Sequence, residues 1–131
     1  MRTPIFSCFG FALMASAAIA ANQAPLTGDE IRALIGKRLT VNLRGAGAAG
    51  EVPGLMGTLT ILPDGSERGR IAAQGSDPFA VSGAWKIKDG RFCDLLRPVS
   101  AFEVCQTWVR TGNKEITAID RGKPFLVYEL P

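Results

Sequence analysis

The chain predicts a mainly β protein, a small antiparallel eight-stranded barrel or sandwich with one short N-terminal helix. Three observations carry this. Beyond residue 38, short runs of alternating or β-branched residues recur at regular spacing, with Gly, Pro, Asn and Asp between them. A single segment has both the start and the stop signals of a helix. Residues 83–110, which hold both tryptophans and two of the three cysteines, read as a three-stranded meander. Eight strands can just close, leaving a packed interior or room for one small ligand, and the closed barrel is the favoured arrangement.

In chain order, Arg2 supplies a basic start, residues 5–19 form an apolar run, and Ala18-Ile19-Ala20 gives the small-x-small pattern of a signal peptidase site. A signal peptide over residues 1–21, cut after Ala20 or Ala21, is expected, with a retained anchor as the alternative. The run is too short to span a bilayer, so no stable membrane insertion is expected after cleavage. Cys8 lies too near the start to follow a full apolar run, as a lipoprotein cysteine would. Residues 22–131 then make one domain, expected as a monomer in the periplasm or secreted.

Residues 22–25 are a short tether. Thr27 and Glu30 form a capping box, Asp29 and Glu30 favour the first turn, and Gly36 is a natural stop, which predicts a helix over 26–36. Ile31, Leu34 and Ile35 make its apolar stripe. So short a helix is unstable alone and should pack on, or plug, one end of the sheet.

Strands are predicted over 39–43, 55–62, 67–73, 79–88, two in the meander, 115–120 and 125–130. Residues 44–54 contain too much Gly and Ala for a packed element and read as a loop, as do 74–78. Pro63-Asp64-Gly65, Thr111 to Lys114 and Arg121 to Pro124 are turns.

Within the meander, Asp89-Gly90 is the preferred pair for a two-residue type I′ hairpin. That turn sets Lys88 against Arg91, Ile87 against Phe92, Lys86 against Cys93 and Trp85 against Asp94. Without Cys8, the cysteines are an even pair in an exported chain, which reads as a Cys93–Cys105 disulfide. Direct opposition of the two would set Leu95 against Glu103 and Arg97 against Ala101, with residues 98–100 as the loop. Alternation then places Trp85, Ile87, Phe92, Asp94, Leu96, Phe102, Val104, Gln106 and Trp108 on the inner face.

The chain contains no histidine, which removes Ser-His-Asp and Cys-His catalysis, histidine metal sites and histidine-ligated haem. With the cysteines oxidised no thiolate remains, so no cofactor, metal ligand set or catalytic residue is expected. Gly45 to Gly50 has G-x-G-x-x-G spacing, but Glu51-Val52-Pro53-Gly54 follows where a helix would be needed. Asp64, Asp89 and Asp120 sit in or beside turns. The formal net charge is +3, and loss of Arg2 with the leader leaves +2, a balance that argues for neither nucleic-acid nor strong membrane-surface binding.

The oddity is Asp94 facing inward with Gln106 near it, because a buried carboxylate is costly unless paired. The opposed Trp85 indole could donate to it, or a bulge could turn it out. Alternatively it is a polar spot in a ligand cavity walled by Trp85, Phe92, Phe102 and Trp108. Trp85, Asp94, Gln106 and Trp108 are therefore the candidate ligand-binding residues. Arg44, Arg68, Arg70, Arg91, Arg97 and Arg110 could form an anion-attracting rim or a solvated face.

The stretches L-T-G-D-E-I-R-A-L-I-G-K at 26–37, L-P-D-G at 62–65 and G-A-W-K-I-K-D-G-R-F-C at 83–93, with Cys105 beyond, resemble small exported alphaproteobacterial domains of unknown function. That resemblance implies a compartment and a helix-then-sheet fold and carries no catalytic residue. A looser, architectural similarity is to periplasmic lysozyme inhibitors, and the outline is lipocalin-like. The expected function is non-enzymatic binding, of a small ligand in the barrel or of an envelope protein. The alternatives are inhibition of a cell-envelope enzyme through a loop at 44–54 or 74–78, and a carboxylate-dependent hydrolase.

Overall fold

The computed structural model describes residues 24–46, 54–73 and 75–131. The expected signal peptide, Cys8 and most of the Gly/Ala-rich loop lie outside the described residues.

Helix α1 (Gly28–Ile35) starts on the capping box read from the sequence. Thr27 N–H donates to Glu30 Oε1 at 2.8 Å, and Glu30 N–H donates to Thr27 Oγ1 at 3.1 Å. Gly36, at φ 52°, ends it with its N–H on the Arg32 carbonyl. Eight strands follow: β1 (Leu39–Gly45), β2 (Met56–Ile61), β3 (Ser66–Ala72), β4 (Phe79–Lys88), β5 (Arg91–Arg97), β6 (Val104–Gly112), β7 (Glu115–Asp120) and β8 (Lys123–Glu129). Each pairs antiparallel with the next, and β8 pairs back onto β1 from Asn42↔Glu129 to Gly45↔Leu126. The sheet is a closed up-and-down barrel, as the strand count predicted, and closure pairs each described strand with a neighbour on both sides.

The type I′ geometry holds at the first hairpin of the meander. Asp89 and Gly90 both have positive φ, and the four predicted pairs from Lys88↔Arg91 to Trp85↔Asp94 are present. Arg121-Gly122 makes a second such turn between β7 and β8. Cys93 and Cys105 are directly opposed and bonded.

The register breaks away from expectation beyond that bridge. The β5–β6 ladder holds only Phe92↔Gln106, Cys93↔Cys105 and Asp94↔Val104, so Leu95 does not face Glu103 and Arg97 does not face Ala101. The chain between them satisfies its own polar groups instead. Ser100 N–H donates to the Leu96 carbonyl at 2.8 Å, and Phe102 N–H donates to Ser100 Oγ at 3.2 Å. A side-chain-to-backbone turn of this kind competes with ladder hydrogen bonds. It carries Phe102 out of the predicted inner face, to 79% exposure.

Curvature comes from inward glycines on three adjacent strands, Gly57, Gly69 and Gly83. A Cβ at any of them would overlap the neighbouring strand's backbone, the carbonyl oxygens of Arg70, Thr58 and Leu95 respectively. Absence of a side chain there lets the strands coil tightly enough to close.

Helix α1 seals one end. Its Ile31 and Ile35 are fully buried in the core, Gly28 abuts the Ile87 side chain, and Leu26 N–H donates to the Trp108 carbonyl at 2.8 Å. This is the end where the Asp89-Gly90 hairpin lies. The other end, where β1 finishes and β2, β6 and β8 begin, is the mouth.

Candidate functional site

Between sealed end and mouth the interior is stratified. Alternation along β4, β5, β6 and β8 brings Trp85, Phe92, Trp108 and Tyr128 into one stack, with successive ring centroids 5.5, 4.7 and 5.2 Å apart. Offset and tilted contacts at such distances are the favoured aromatic geometries. This layer is packed.

One inward position nearer the mouth, polar side chains replace the aromatics. Gln106 is 2% exposed, and its Oε1 accepts from Trp108 Nε1 at 3.0 Å and from the Tyr128 hydroxyl at 2.9 Å. Two donors use both lone pairs of that oxygen. Burial pushes the Tyr128 hydroxyl well above its ordinary range, so it remains a donor.

Asp94 (6% exposed) and Glu67 (2% exposed) share the same level. Glu67 lies opposite Gly83 on β4, which in turn lies opposite Leu96 on β5, two residues from Asp94. Since Gly83 has no side chain, the Glu67 carboxyl reaches across β4 to Asp94. Neither carboxyl oxygen of Glu67 meets an N–H or O–H donor among the described residues. The group facing it is the Asp94 carboxyl, and two carboxyls can bond only when one carries a proton. Burial, the hydrogen bond to Asp94 and the negative charge of Asp94 together push Glu67 up to about 10. Burial raises Asp94 as well. The hydrogen bond from Glu67 acts in the opposite sense, and the Glu103 charge adds to the rise.

Above this layer a cavity of about 50 Å³ opens at the mouth. Its walls are apolar, chiefly Leu43, Leu59, Ile71, Leu96, Val104 and Leu126, and its polar contacts include Asp94, Gln106 and Tyr128. Leu55, Val99, Ser100 and Phe125 border the opening.

Of the four residues singled out in the sequence, Asp94 and Gln106 border this cavity, whereas Trp85 and Trp108 belong to the packed layer beneath it. Trp85 does not bond Asp94. Its indole N–H donates to the Leu62 carbonyl at 2.8 Å, and Asp94 remains inside without a bulge to turn it out. Phe102, also expected in the wall, stands outside it.

Glu67 is the member that sequence reading missed, although a signal was present. In E-R-G-R-I, Glu67 shares parity with Ile71, so an inward Ile71 implies an inward Glu67. Tyr128 was missed likewise, two positions from the inward Leu126.

The arginines do not converge. Arg68, Arg70, Arg91, Arg97 and Arg110 are exposed around the outside, and half-buried Arg44 pairs with Glu115 at 3.2 Å. Cys93, Glu103 and Cys105 cluster closely enough for a metal, but the sulfurs are bonded to each other and Glu103 pairs with Lys86 at 3.4 Å. No family model matches the chain, and neither the curated proteins nor the solved structures give a match. The class that the fold defines is a closed eight-stranded antiparallel barrel with one end sealed by a helix. Its disulfide is compatible with an exported protein, and among the described residues no helix is long and apolar enough to cross a membrane.

Proposed function

We propose that this is an exported binding domain that takes the slender apolar part of a small ligand into the mouth of its barrel. The observation that carries the reading is the apolar cavity reaching Asp94 and Gln106. Ligand sites are typically apolar clefts with a few convergent polar groups. At about 50 Å³ the cavity is far below the volume of a whole drug-sized site. It suits one end of a slender, mostly hydrocarbon ligand, with the remainder lying over Val99 and Phe125. The chemistry argues for binding rather than hydrolysis. Glycosidase carboxyls stand about 5–10 Å apart across a substrate, whereas Glu67 faces Asp94 and does not border the cavity. The disulfide and the N-terminal apolar run support placement in a periplasm or outside the cell.

Titration of the isotope-labelled protein with 1-hexanol tests this reading. Amide shifts should concentrate on Leu43, Leu96, Leu126 and Tyr128, and Leu96→Trp, which fills the mouth, should remove them. Shifts that are absent, or spread evenly over the outer surface, would defeat it.

A second reading rests on three exposed apolar side chains. Met56, Val99 and Phe102 are 61%, 43% and 79% exposed; Val99 borders the cavity, Met56 begins β2 at the mouth end, and Phe102 lies in the β5–β6 connection. A protein partner such as a cell-envelope enzyme could dock there.

A further inference from the structure

We propose that the ligand enters amine first: the cavity floor is built for a primary ammonium group on an unbranched apolar body, with Asp94 as its acceptor. The inference rests on the ligand-binding reading above and adds the ligand's head group.

Most acceptor atoms of the floor are already committed. Gln106 Oε1 is filled by the Trp108 and Tyr128 donors, and the Tyr128 proton is committed to that bond. Glu67 lies behind Gly83 and off the cavity. That leaves the Asp94 carboxyl as the open acceptor on the floor. It also has no cationic partner among the described residues. The ion pairs among the described residues are Arg32–Asp29, Arg44–Glu115, Lys86–Glu103 and Arg121–Asp120, and none involves Asp94 or Glu67.

A buried carboxylate without a cation is strongly disfavoured. One ammonium group would supply the counter-charge that lets Asp94 ionise in this buried position beside Glu67. Folding has already stripped Asp94 of water, so binding need only desolvate the ligand's head. A carboxylate ligand would meet like charge. A neutral alcohol could donate one hydrogen bond but would leave the charge uncompensated. The narrow apolar walls admit an unbranched alkyl chain behind the head.

The test compares n-hexylamine, 1-hexanol and hexanoate on the wild-type full chain near neutral pH, by amide shifts and calorimetry. Hexylamine should bind about tenfold more tightly than hexanol, the ratio that about 1.4 kcal/mol confers, and hexanoate should not bind. Asp94→Asn should abolish the preference while hexanol still binds. Should that variant fail to fold, the Asp94 carboxyl carbon in the wild type gives the answer, moving with hexylamine at least twice as far as with hexanol. Equal binding of hexylamine and hexanol, or a preference that survives Asp94→Asn, overturns the amine assignment and leaves the ligand-binding reading standing. Failure of all three probes overturns both.

Discussion

Replacing Glu67 by Gln isolates the proton that the acid pair holds. In the unfolded chain Glu67 titrates near 4.5, and in the barrel it is pushed up to about 10. Its folded pKa is raised, so between those values the native state binds more protons than the unfolded state and stability falls as pH rises. The contribution is complete below the unfolded value and lost as pH climbs through the folded one. Each unit within the window is worth about 1.4 kcal/mol at most, which makes the loss by neutral pH roughly 3 kcal/mol, or half that once local relaxation is allowed. A Gln at this position can donate its amide N–H to Asp94 at every pH, as the protonated Glu67 does. Glu67→Gln should therefore match the wild type at about pH 5 and exceed it by roughly 2 kcal/mol at about pH 7, with a wider gap at about pH 9. Asp94, also raised and for the same first cause, remains in the variant, so the slope is flattened rather than abolished. Urea unfolding at the three pH values measures this. Curves that run parallel for wild type and variant would refute Glu67 as the holder of the proton.

Two further outcomes follow from the scaffold. The Cys93–Cys105 bridge spans a sequence separation of 12 residues, so a Cys→Ala double variant should lose about 3 kcal/mol in urea unfolding; a loss under about 1 kcal/mol would show that the short β5–β6 ladder holds without it. Gly83→Ala should cost about 2 kcal/mol or more because its Cβ meets the Leu95 backbone. Gly90→Ala, where only the positive φ resists, should cost about 1 kcal/mol, and equal losses at the two sites would contradict the role given to Gly83.

The barrel was legible because its determinants are local. Asp89-Gly90 fixes a register through its own dihedral preferences, Thr27 and Glu30 cap a helix three residues apart, and alternation tells inside from outside along each strand. The loop after Arg97 was not legible, because its path depends on Ser100 competing with the ladder for backbone groups, and nothing in the alternation of 101–106 announces that. Half of the site could be read for the same reason. Asp94 and Gln106 stood out as polar residues on an apolar face. The partner of Asp94 did not, because it comes from β3, two strands away, and reaches over a strand position whose contribution is a missing side chain. A pairing pattern between adjacent strands cannot reveal a contact made across a third.

Gly83 thus joins two properties that look separate. Barrel closure requires a position on β4 without a Cβ, and the gap it leaves is what brings Glu67 to Asp94. Filled with apolar side chains, this level would avoid the desolvation of two carboxyls, and buried ionisable groups are often replaceable by hydrophobic ones with no loss of stability. The chain nevertheless holds an acid pair, and a glutamine whose carbonyl oxygen is filled, between a packed aromatic stack and an apolar cavity. Departures from local rules that carry a stability penalty concentrate at functional sites. Here the departure sits where the barrel interior meets the solvent-accessible mouth, the level at which an entering ligand's leading atoms would stop.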